Sequence, residues 1–285
     1  MKTVDISIII RTLNEEKYLP YLLNKISKQS LFGSSETIII DSGSNDSTLS
    51  IANDYDTKIF NIKKKDFTFG KSLNLGCKFS KGKYLVFISG HCIPLDNKWL
   101  ENLIHPLSEN ICGYSYGRQI GSKSTYFSEA EIFKKYYPNS SNLHRNGYFC
   151  NNANSAMLKT IWEEYKFDEQ ITGLEDLHLS KRIFKDGMNI SYVAEACVFH
   201  CHKESWPQIS RRFEREAYAL LKISPEIKIT KFSMIYYIIC SILIDYKKAF
   251  SKGVLFKNNN LRNIFLYRCY QYYGSYKGNK NIKKY

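Results

Sequence analysis

Short apolar runs alternate with longer helical patterns from the start of the chain to about Val193. This alternation is typical of an α/β sheet, because parallel strands need a crossover connection that is usually a helix. The clearest buried strands are residues 6–10, 37–40 and 84–89, in which apolar side chains dominate. The pattern therefore predicts an α/β fold with a mixed, mainly parallel sheet flanked by helices.

The remaining elements follow from helical periodicity and from turn residues. Further strands are expected near residues 112–119 and 190–193. The stretch 121–152 carries Pro138 and several Asn and Ser residues and is predicted to be a loop-rich segment that serves as a mobile lid or an acceptor loop. Helices are predicted at residues 15–29, 45–54, 69–79, 99–107, 161–165, 174–186, 206–223, 231–250 and 261–273.

Most of the net charge lies at one end of the sequence. The 285 residues carry a formal charge of +14, and residues 222–285 hold 13 Lys and Arg against only Glu226 and Asp245. We therefore predict a main domain at residues 1–222 and a basic helical extension at residues 223–285, which ends in a polar fray from Gly274. The apolar run 232–244 is shorter than the roughly 20 residues that cross a bilayer.

The extension is a candidate contact for an anionic membrane surface or for a second subunit. Its mixture of Tyr and Lys/Arg is compatible with lipid headgroups or RNA, but it carries no RNA-binding signature, so nucleic acid is not expected as a partner. Eight dispersed cysteines and the lack of a signal-peptide pattern predict reduced thiols in a cytoplasmic protein, with the extension as a contact for the inner face of the cell membrane.

Polar residues directly follow three of the predicted strands. The first strand runs into Arg11-Thr12-Leu13-Asn14-Glu15, the second into Asp41-Ser42-Gly43-Ser44, and the third into Ser89-Gly90-His91. In open α/β sheets, ligands bind beyond the carboxyl ends of the strands, where a carboxylate can accept hydrogen bonds from a base or a ribose. For the segment 41–48 alone, an Asx turn followed by a helix cap is an equally good interpretation.

Taken in order, these segments resemble family 2 glycosyltransferases of the GT-A (Rossmann-like) fold. The resemblance covers about residues 4–220 and includes Phe69-Gly70-Lys71-Ser72-Leu73-Asn74 and Gly173-Leu174-Glu175-Asp176. Each motif alone is weak, whereas the ordered set is specific. The chain is most similar to bacterial rhamnosyltransferase-like members, which build surface polysaccharides such as capsules.

The resemblance implies a role for each matching residue. Its nucleotide-sugar contacts would be Arg11, Thr12, Asn14, Glu15, Asp41, Ser42, Lys71 and Asn74. Asp176, supported by Glu175, would be the general base that takes the proton of the acceptor hydroxyl. The alternative for this acidic pair is a stabilising contact with a helix N-terminus, which is compatible with catalysis.

The chain departs from the family pattern at the third strand end. Family members usually carry an Asp-x-Asp motif there for a divalent metal, whereas this chain has Ser89-Gly90-His91. His91 can ligate Mn²⁺, Mg²⁺ being the other candidate cofactor, or can donate a hydrogen bond directly to a donor phosphate or a carboxylate on the donor sugar. The resemblance makes His200 or His202 its partner in the metal site.

Two features near residue 200 have plain alternatives. Cys197, His200, Cys201 and His202 lie too close together to make a good structural zinc frame. Arg211 and Arg212 are candidates to stabilise the leaving diphosphate, but pairing with neighbouring Glu residues on a helix surface explains either one equally well.

These observations predict an inverting glycosyltransferase that uses a nucleotide-diphosphate sugar and a saccharide or lipid-linked saccharide acceptor. One alternative is a metal-independent transferase that uses a nucleotide-monophosphate sugar. Another is a non-catalytic scaffold that docks polysaccharide enzymes at the membrane through residues 222–285.

Overall fold

The computed structural model describes residues 4–30, 33–201 and 204–280. The chain divides into two compact units. The first comprises Met1–Ile120, Tyr137–Ile171 and Glu175–Cys201, and the second comprises Gly121–Tyr136, Thr172–Leu174 and His202–Tyr285. The boundary between a glycosyltransferase domain and an extension at residues 222 and 223 stays a prediction. The division into units describes how the chain packs, and it does not show which residues are needed for activity.

A nine-stranded mixed sheet forms the centre of the first unit. Its main path runs in the order β3-β2-β1-β4-β8-β6-β9-β5, and β7 pairs with β9. The strands are β1 (Ile6–Thr12), β2 (Ser35–Asp41), β3 (Thr57–Asn61), β4 (Tyr84–Ser89), β5 (Cys92–Pro94), β6 (Tyr114–Gly121), β7 (Asn142–Arg145), β8 (Asn154–Leu158) and β9 (Ile190–His200). Strands β1 to β4 are mutually parallel where they pair, while β8 joins β4 antiparallel.

Helices alternate with the strands from β1 to β4, and the order is less regular after β4. They are α1 (Leu19–Ser27), α2 (Thr48–Asn53), α3 (Phe69–Phe79), α4 (Trp99–Ser108), α5 (Phe127–Tyr136), α6 (Lys159–Tyr165), α7 (Glu175–Lys185), α8 (Trp206–Ile223), α9 (Lys231–Ser251) and α10 (Asn260–Lys280). Of these, α5, α8, α9 and α10 belong to the second unit. Within the described residues, no helix has the combination of length and apolar character needed to cross a bilayer.

The central strands explain the unbroken apolar runs of the sequence. Ile8, Ile9 and Ile10 of β1 are fully buried because β1 lies between β2 and β4 and both faces of the sheet are covered. Leu19, Leu22, Leu23 and Ile26 cover part of this core from one face of α1. The first helix begins at Leu19 and not at residue 15, because Pro20 lacks a backbone N–H and fits only the first helical turn.

The segment 121–152 is more ordered than its composition predicts. The prediction of a loop-rich stretch is wrong for α5 and β7, which both lie within it. The short strands β3 and β5 and the antiparallel strand β8 are also absent from the sequence prediction. Strand β8 carries fully buried Asn154 and Ser155, so its sequence lacks the apolar run that identifies a central strand.

The last helix of the second unit is longer than predicted. Helix α10 continues to Lys280, so the polar fray expected from Gly274 is wrong for residues 274–280. Gly274 and Gly278 lie four residues apart and face the backbone carbonyls of Ser210 and Glu214 in α8, at distances that leave no room for a side chain. Close packing of α10 on α8 therefore stabilises a stretch that has a low intrinsic helix preference.

Gly70→Ala is expected to destabilise the protein, although alanine is the better helix former. A Cβ at position 70 of α3 would overlap the carbonyl of Asp168, so the backbone must shift. The clash is expected to exceed the gain in helix preference of about 1 kcal/mol and to lower the thermal midpoint by several degrees. The control is Lys78→Ala on the exposed side of the same helix, which should leave the midpoint unchanged. An unchanged midpoint for both variants would contradict the packing described here.

Candidate active site

The polar ends of β1, β2 and β4 lie at one edge of the sheet. The parallel register pairs Thr12 with Asp41 and Arg11 with Ser89, so the segments that follow these strands are neighbours. This arrangement is the one expected for a ligand site at the carboxyl ends of parallel strands.

Asp41 organises the turn after β2. Its side chain is fully buried, and its Oδ1 accepts hydrogen bonds from the hydroxyls of Thr12 (3.1 Å) and Ser44 (2.5 Å). Its Oδ2 accepts from the N–H groups of Gly43 (2.9 Å) and Ser44 (2.8 Å). The buried Ser42 hydroxyl donates to the Thr12 carbonyl at 3.0 Å. The bond set fixes the turn, and the donor contacts predicted for Thr12, Asp41 and Ser42 remain predictions.

Asn14 joins the loops that follow β1 and β2. Its backbone has φ of +56°, a left-handed conformation that asparagine tolerates better than most residues. Its N–H donates to Ser44 Oγ at 2.8 Å, and its Oδ1 accepts from the Asn45 N–H at 2.9 Å. The next residue, Glu15, donates its N–H to Thr48 Oγ1 at 2.7 Å. Together these bonds give the rim of the site a fixed backbone.

His91 and His200 lie side by side because of strand pairing. Strand β5 runs antiparallel to β9 with Cys92 opposite His200, and the two imidazole rings are 4.9 Å apart. One ligand atom from each of His91, Cys92 and His200 lies within 4.8 Å of the others. The structure thus brings two of the predicted metal residues together, while His202 lies outside the described residues.

The donor set of this cluster fits a divalent transition metal. Nδ1 of His91 is 2.7 Å from Glu15 Oε1, and Nδ1 of His200 is 2.8 Å from Gln119 Oε1. When each Nδ1 carries its proton toward these oxygens, each Nε2 presents a lone pair, which is the usual arrangement of metal-binding histidines. Burial raises the pKa of the Cys92 thiol, so a metal would have to displace that proton. Mn²⁺ accepts nitrogen donors more readily than Mg²⁺ does, and a sulfur donor suits an ion softer than either.

A second acidic site lies at the start of α7. Glu175 and Asp176 are both buried in its first turn. Asp176 accepts the N–H of Asn152 on Oδ2 at 2.8 Å and the N–H of Leu177 on Oδ1 at 2.7 Å. Arg11 Nη1 lies 3.4 Å from Glu175 Oε1, so the end of β1 is connected to this acidic pair.

The pKa of the Asp176 carboxyl lies well above that of an ordinary aspartate. The pKa of this carboxyl is raised to about 7, first by burial away from water and then by the neighbouring Glu175, while Asn152, Leu177 and Arg11 lower it. A carboxylate with a pKa near the working pH takes up a proton more readily than an ordinary aspartate. The geometry therefore supplies one carboxylate suited to accept a hydroxyl proton.

Lys71 and Asn74 lie on α3 and have different surroundings. The Lys71 N–H donates to Thr68 Oγ1 at the start of the helix, and its side chain is half-buried. The Asn74 amide donates to the Phe167 carbonyl and Glu169 Oε1, both at 2.9 Å, and its oxygen accepts from the Trp162 indole at 2.9 Å. A donor contact through Asn74 would have to replace one of these bonds, and both roles remain predictions.

Arg211 and Arg212 belong to the second unit. Arg211 is exposed on α8, whereas Arg212 bonds with Glu204 at 2.6 Å and Glu129 at 2.8 Å. These partners lie outside α8, in α5 and before α8, so the ion pairs of Arg212 differ from the pairing along one helix surface that the sequence offered as an alternative. The leaving-group role of either arginine remains a prediction.

Sequence reasoning missed three residues that shape the site. Cys92, Gln119 and the backbone N–H of Asn152 acquire their places through the pairing of β5 with β9 and through the loop before β8. For Cys92, the one sequence signal was its position next to His91. Gln119 and Asn152 carry no local signal, because their partners are 81 and 24 residues away.

The chain belongs to glycosyl transferase family 2. The model of that family matches residues 7–166, which contain the ends of β1, β2 and β4 and most of the sheet. The match confirms the family resemblance carried by the ordered strand-end motifs.

Characterised relatives include two enzymes of O-antigen assembly. The O-antigen chain rhamnosyltransferase RfbN of Salmonella typhimurium is 30% identical over 217 residues, which are 69% of this chain and 66% of the relative. The O-antigen chain rhamnosyltransferase WbaN of Salmonella anatum is 27% identical over 192 residues, 63% of this chain and 60% of the relative. The chain thus spans slightly less than two thirds of the length of these relatives.

Solved structures confirm the GT-A fold. The mannosyltransferase PcManGT of Pyrobaculum calidifontis, solved with GDP-Man and Mn²⁺, has a TM-score of 0.66 and 14% identity over 96% of this chain and 86% of its own. Staphylococcus aureus TarS 1-349, solved with UDP, has a TM-score of 0.59 and 16% identity over 94% of this chain and 90% of its own. At such identities the likeness establishes the fold alone.

Proposed function

We propose that this protein is an inverting glycosyltransferase that uses a nucleotide-diphosphate sugar and extends a saccharide of a bacterial surface polysaccharide. The observation that carries the proposal is the buried Asp176, whose carboxyl has its pKa raised to about 7 at the start of α7. The family membership and the relatives named as O-antigen rhamnosyltransferases support the reaction class and the kind of product.

The transfer is a single displacement at the anomeric carbon. An acceptor hydroxyl oxygen forms the new C–O bond while its proton passes to Asp176, and the bond to the nucleotide diphosphate breaks with its electron pair on the leaving phosphate. One displacement inverts the anomeric configuration. Asn152 and Leu177 hold the Asp176 oxygens by their N–H groups, so the base is fixed before the acceptor arrives.

The donor is expected to bind along the rim that follows β1 and β2. The hydrogen bonds described above fix the positions of the residues on this rim, which are Thr12, Asn14, Glu15 and Ser42. Arg11 approaches the acidic pair from the end of β1 and lies over the Phe69 ring at 4.8 Å. Its cationic side chain suits a contact with the anionic donor.

His91 and His200 are the residues that would hold a divalent metal, with Cys92 beside them. When bound, such an ion neutralises charge on the diphosphate and stabilises the leaving group. Glu15 and Gln119 fix the orientation of the two imidazoles through Nδ1. The donor set supports Mn²⁺ over Mg²⁺ as the metal.

The acceptor is proposed to be a growing or lipid-linked saccharide, used on the cytoplasmic side of the membrane. The eight cysteines are free thiols, which fits a reducing compartment.

Calorimetric titration with nucleotides tests the donor class. We expect one nucleoside diphosphate among those of uridine, guanosine, thymidine and cytidine to bind selectively with Mn²⁺, and to bind at least about tenfold more weakly in EDTA, since its charge is then not neutralised. Failure of every nucleotide to bind under both conditions would contradict the proposal and favour the scaffold interpretation.

A second candidate is a metal-independent transferase that uses a nucleotide-monophosphate sugar. It is favoured by the replacement of the usual metal-binding aspartates with Ser89-Gly90-His91. In that case His91, oriented by Glu15, acts directly on the donor. Selective binding of a cytidine nucleotide that is unchanged by EDTA in the same titration would support this candidate.

A further inference from the structure

Helix α9 exposes a continuous row of large apolar side chains. Its members, called here the apolar stripe, have exposed fractions between 45% and 87%. They are Phe232, Ile235, Tyr236, Ile239, Leu243 and Phe250. Their offsets from the first member are 3, 4, 7, 11 and 18 residues, which place them on one helix face. The stripe extends over about 27 Å at the helical rise per residue.

A different side of α9 holds the helix in the second unit. Ile242, Asp245 and Ala249 are buried there. Arg268 of α10 makes two bonds to the Asp245 carboxylate, at 2.8 and 3.1 Å, and Ser128 donates to the same group at 2.6 Å. The helix therefore cannot roll the stripe inward without breaking a buried charged network. The stripe is a fixed outer surface of the second unit.

Exposed cations accompany the stripe in the same segment of the chain. Lys228, Lys231, Lys247, Lys257 and Arg262 are all exposed in the segment 222–280. Of the two acidic residues in this segment, Asp245 is buried against Arg268, so Glu226 alone carries an exposed negative charge among the described residues 222–280. An apolar face bordered by lysines is the pattern of a helix that lies in the headgroup region of an anionic bilayer.

We propose that the apolar stripe of α9 docks this protein on an anionic phospholipid surface. The apolar side chains enter the boundary between headgroups and acyl chains, and Lys231 and Lys247 pair with lipid phosphates. A second copy of this chain is a poorer occupant, because self-association of the stripe would bring two surfaces of the same positive charge together. The docking does not depend on the transfer reaction, so each can fail without the other.

Vesicle flotation of the full chain tests the docking. We expect the protein to float with vesicles of equal parts phosphatidylcholine and phosphatidylglycerol, and not with phosphatidylcholine alone. Leu243→Glu is expected to lower the bound fraction at limiting lipid about tenfold or more, because it places a charge in the apolar boundary. Lys247→Glu should weaken binding several-fold, and added salt should weaken it further.

Tyr21→Glu on α1 is the matched control. Tyr21 is 63% exposed and Leu243 is 62% exposed, so both variants place a carboxylate at an equally open position. The control should float like the unsubstituted protein, and circular dichroism should show that both variants are folded. Equal flotation of Leu243→Glu and the unsubstituted protein would overturn the proposal. So would a lack of vesicle binding combined with a dimer, seen by light scattering, that Leu243→Glu dissociates.

Discussion

Asp176→Asn is expected to lower the rate of sugar transfer by about 100- to 10,000-fold, the range for loss of a general base. The amide cannot accept the proton of the acceptor hydroxyl, so the nucleophile stays weak. Donor affinity should change little, since the substitution keeps the size of the side chain. Steady-state kinetics with a saccharide acceptor, combined with calorimetry for the nucleotide, separates the two effects.

Asp186→Asn is the control for this substitution. Asp186 is an exposed residue directly after the end of α7. The control removes a carboxylate from the same region but should retain the full transfer rate. A transfer rate for Asp176→Asn close to that of the control would show that Asp176 is not the base. A loss of nucleotide affinity in parallel with the rate would instead point to a structural role.

The raised pKa of Asp176 also fixes the sign of the pH dependence. Between its ordinary value near 3.8 and about 7, the folded protein holds a proton that the unfolded chain has released. The free energy of unfolding therefore falls as the pH rises through this window, and the contribution of this group is lost above pH 7. The transfer rate should show the opposite trend and increase toward pH 7, because the base must be ionised. Asp176→Asn should remove both trends.

The strand ends were predictable because their sequence signal is local. An apolar run followed by Asn14-Glu15, Asp41-Ser42 or Gly90-His91 identifies the end of a buried strand, and parallel pairing places such ends together. The side chains near the first two ends indeed bond to one another, as Thr12 does to Asp41. The family match then follows from the order of the same segments.

Elements that depend on distant contacts were not predictable in this way. Strand β8 is buried with polar residues whose bonds come from other strands, as in the Asn154 amide bond to the Ala196 carbonyl at 2.8 Å. Helix α10 continues past Gly274 because the lack of a side chain there lets it approach α8 closely. Local preference opposes both elements, and tertiary packing decides each of them.

The cluster of His91, Cys92 and His200 depends both on local sequence signals and on distant contacts. His91 and His200 stood out in the sequence, but their proximity depends on the pairing of β5 with β9. Their orientation depends on Glu15, in the loop after β1, and on Gln119 of β6. At the third strand end, Ser89 and His91 stand where the family pattern usually has two aspartates, so the negative charges of those aspartates are absent there.

His91→Ala and His200→Ala are each expected to reduce Mn²⁺ affinity by more than the loss for Glu15→Gln. Removing an orienting partner such as Glu15 typically costs about 10- to 100-fold, and each histidine supplies a ligand atom itself. Direct titration with Mn²⁺ alone, and with Mn²⁺ plus the nucleotide diphosphate, measures these losses without any assay of transfer. His105→Ala, at an exposed position of α4, is the matched control and should bind Mn²⁺ normally.

Because the donor set contains imidazole nitrogen and a buried thiol, Mg²⁺ should compete poorly with Mn²⁺. If neither histidine variant lowers Mn²⁺ affinity below that of the control, the cluster is not a metal site, and the orientation of His91 by Glu15 must serve the donor directly.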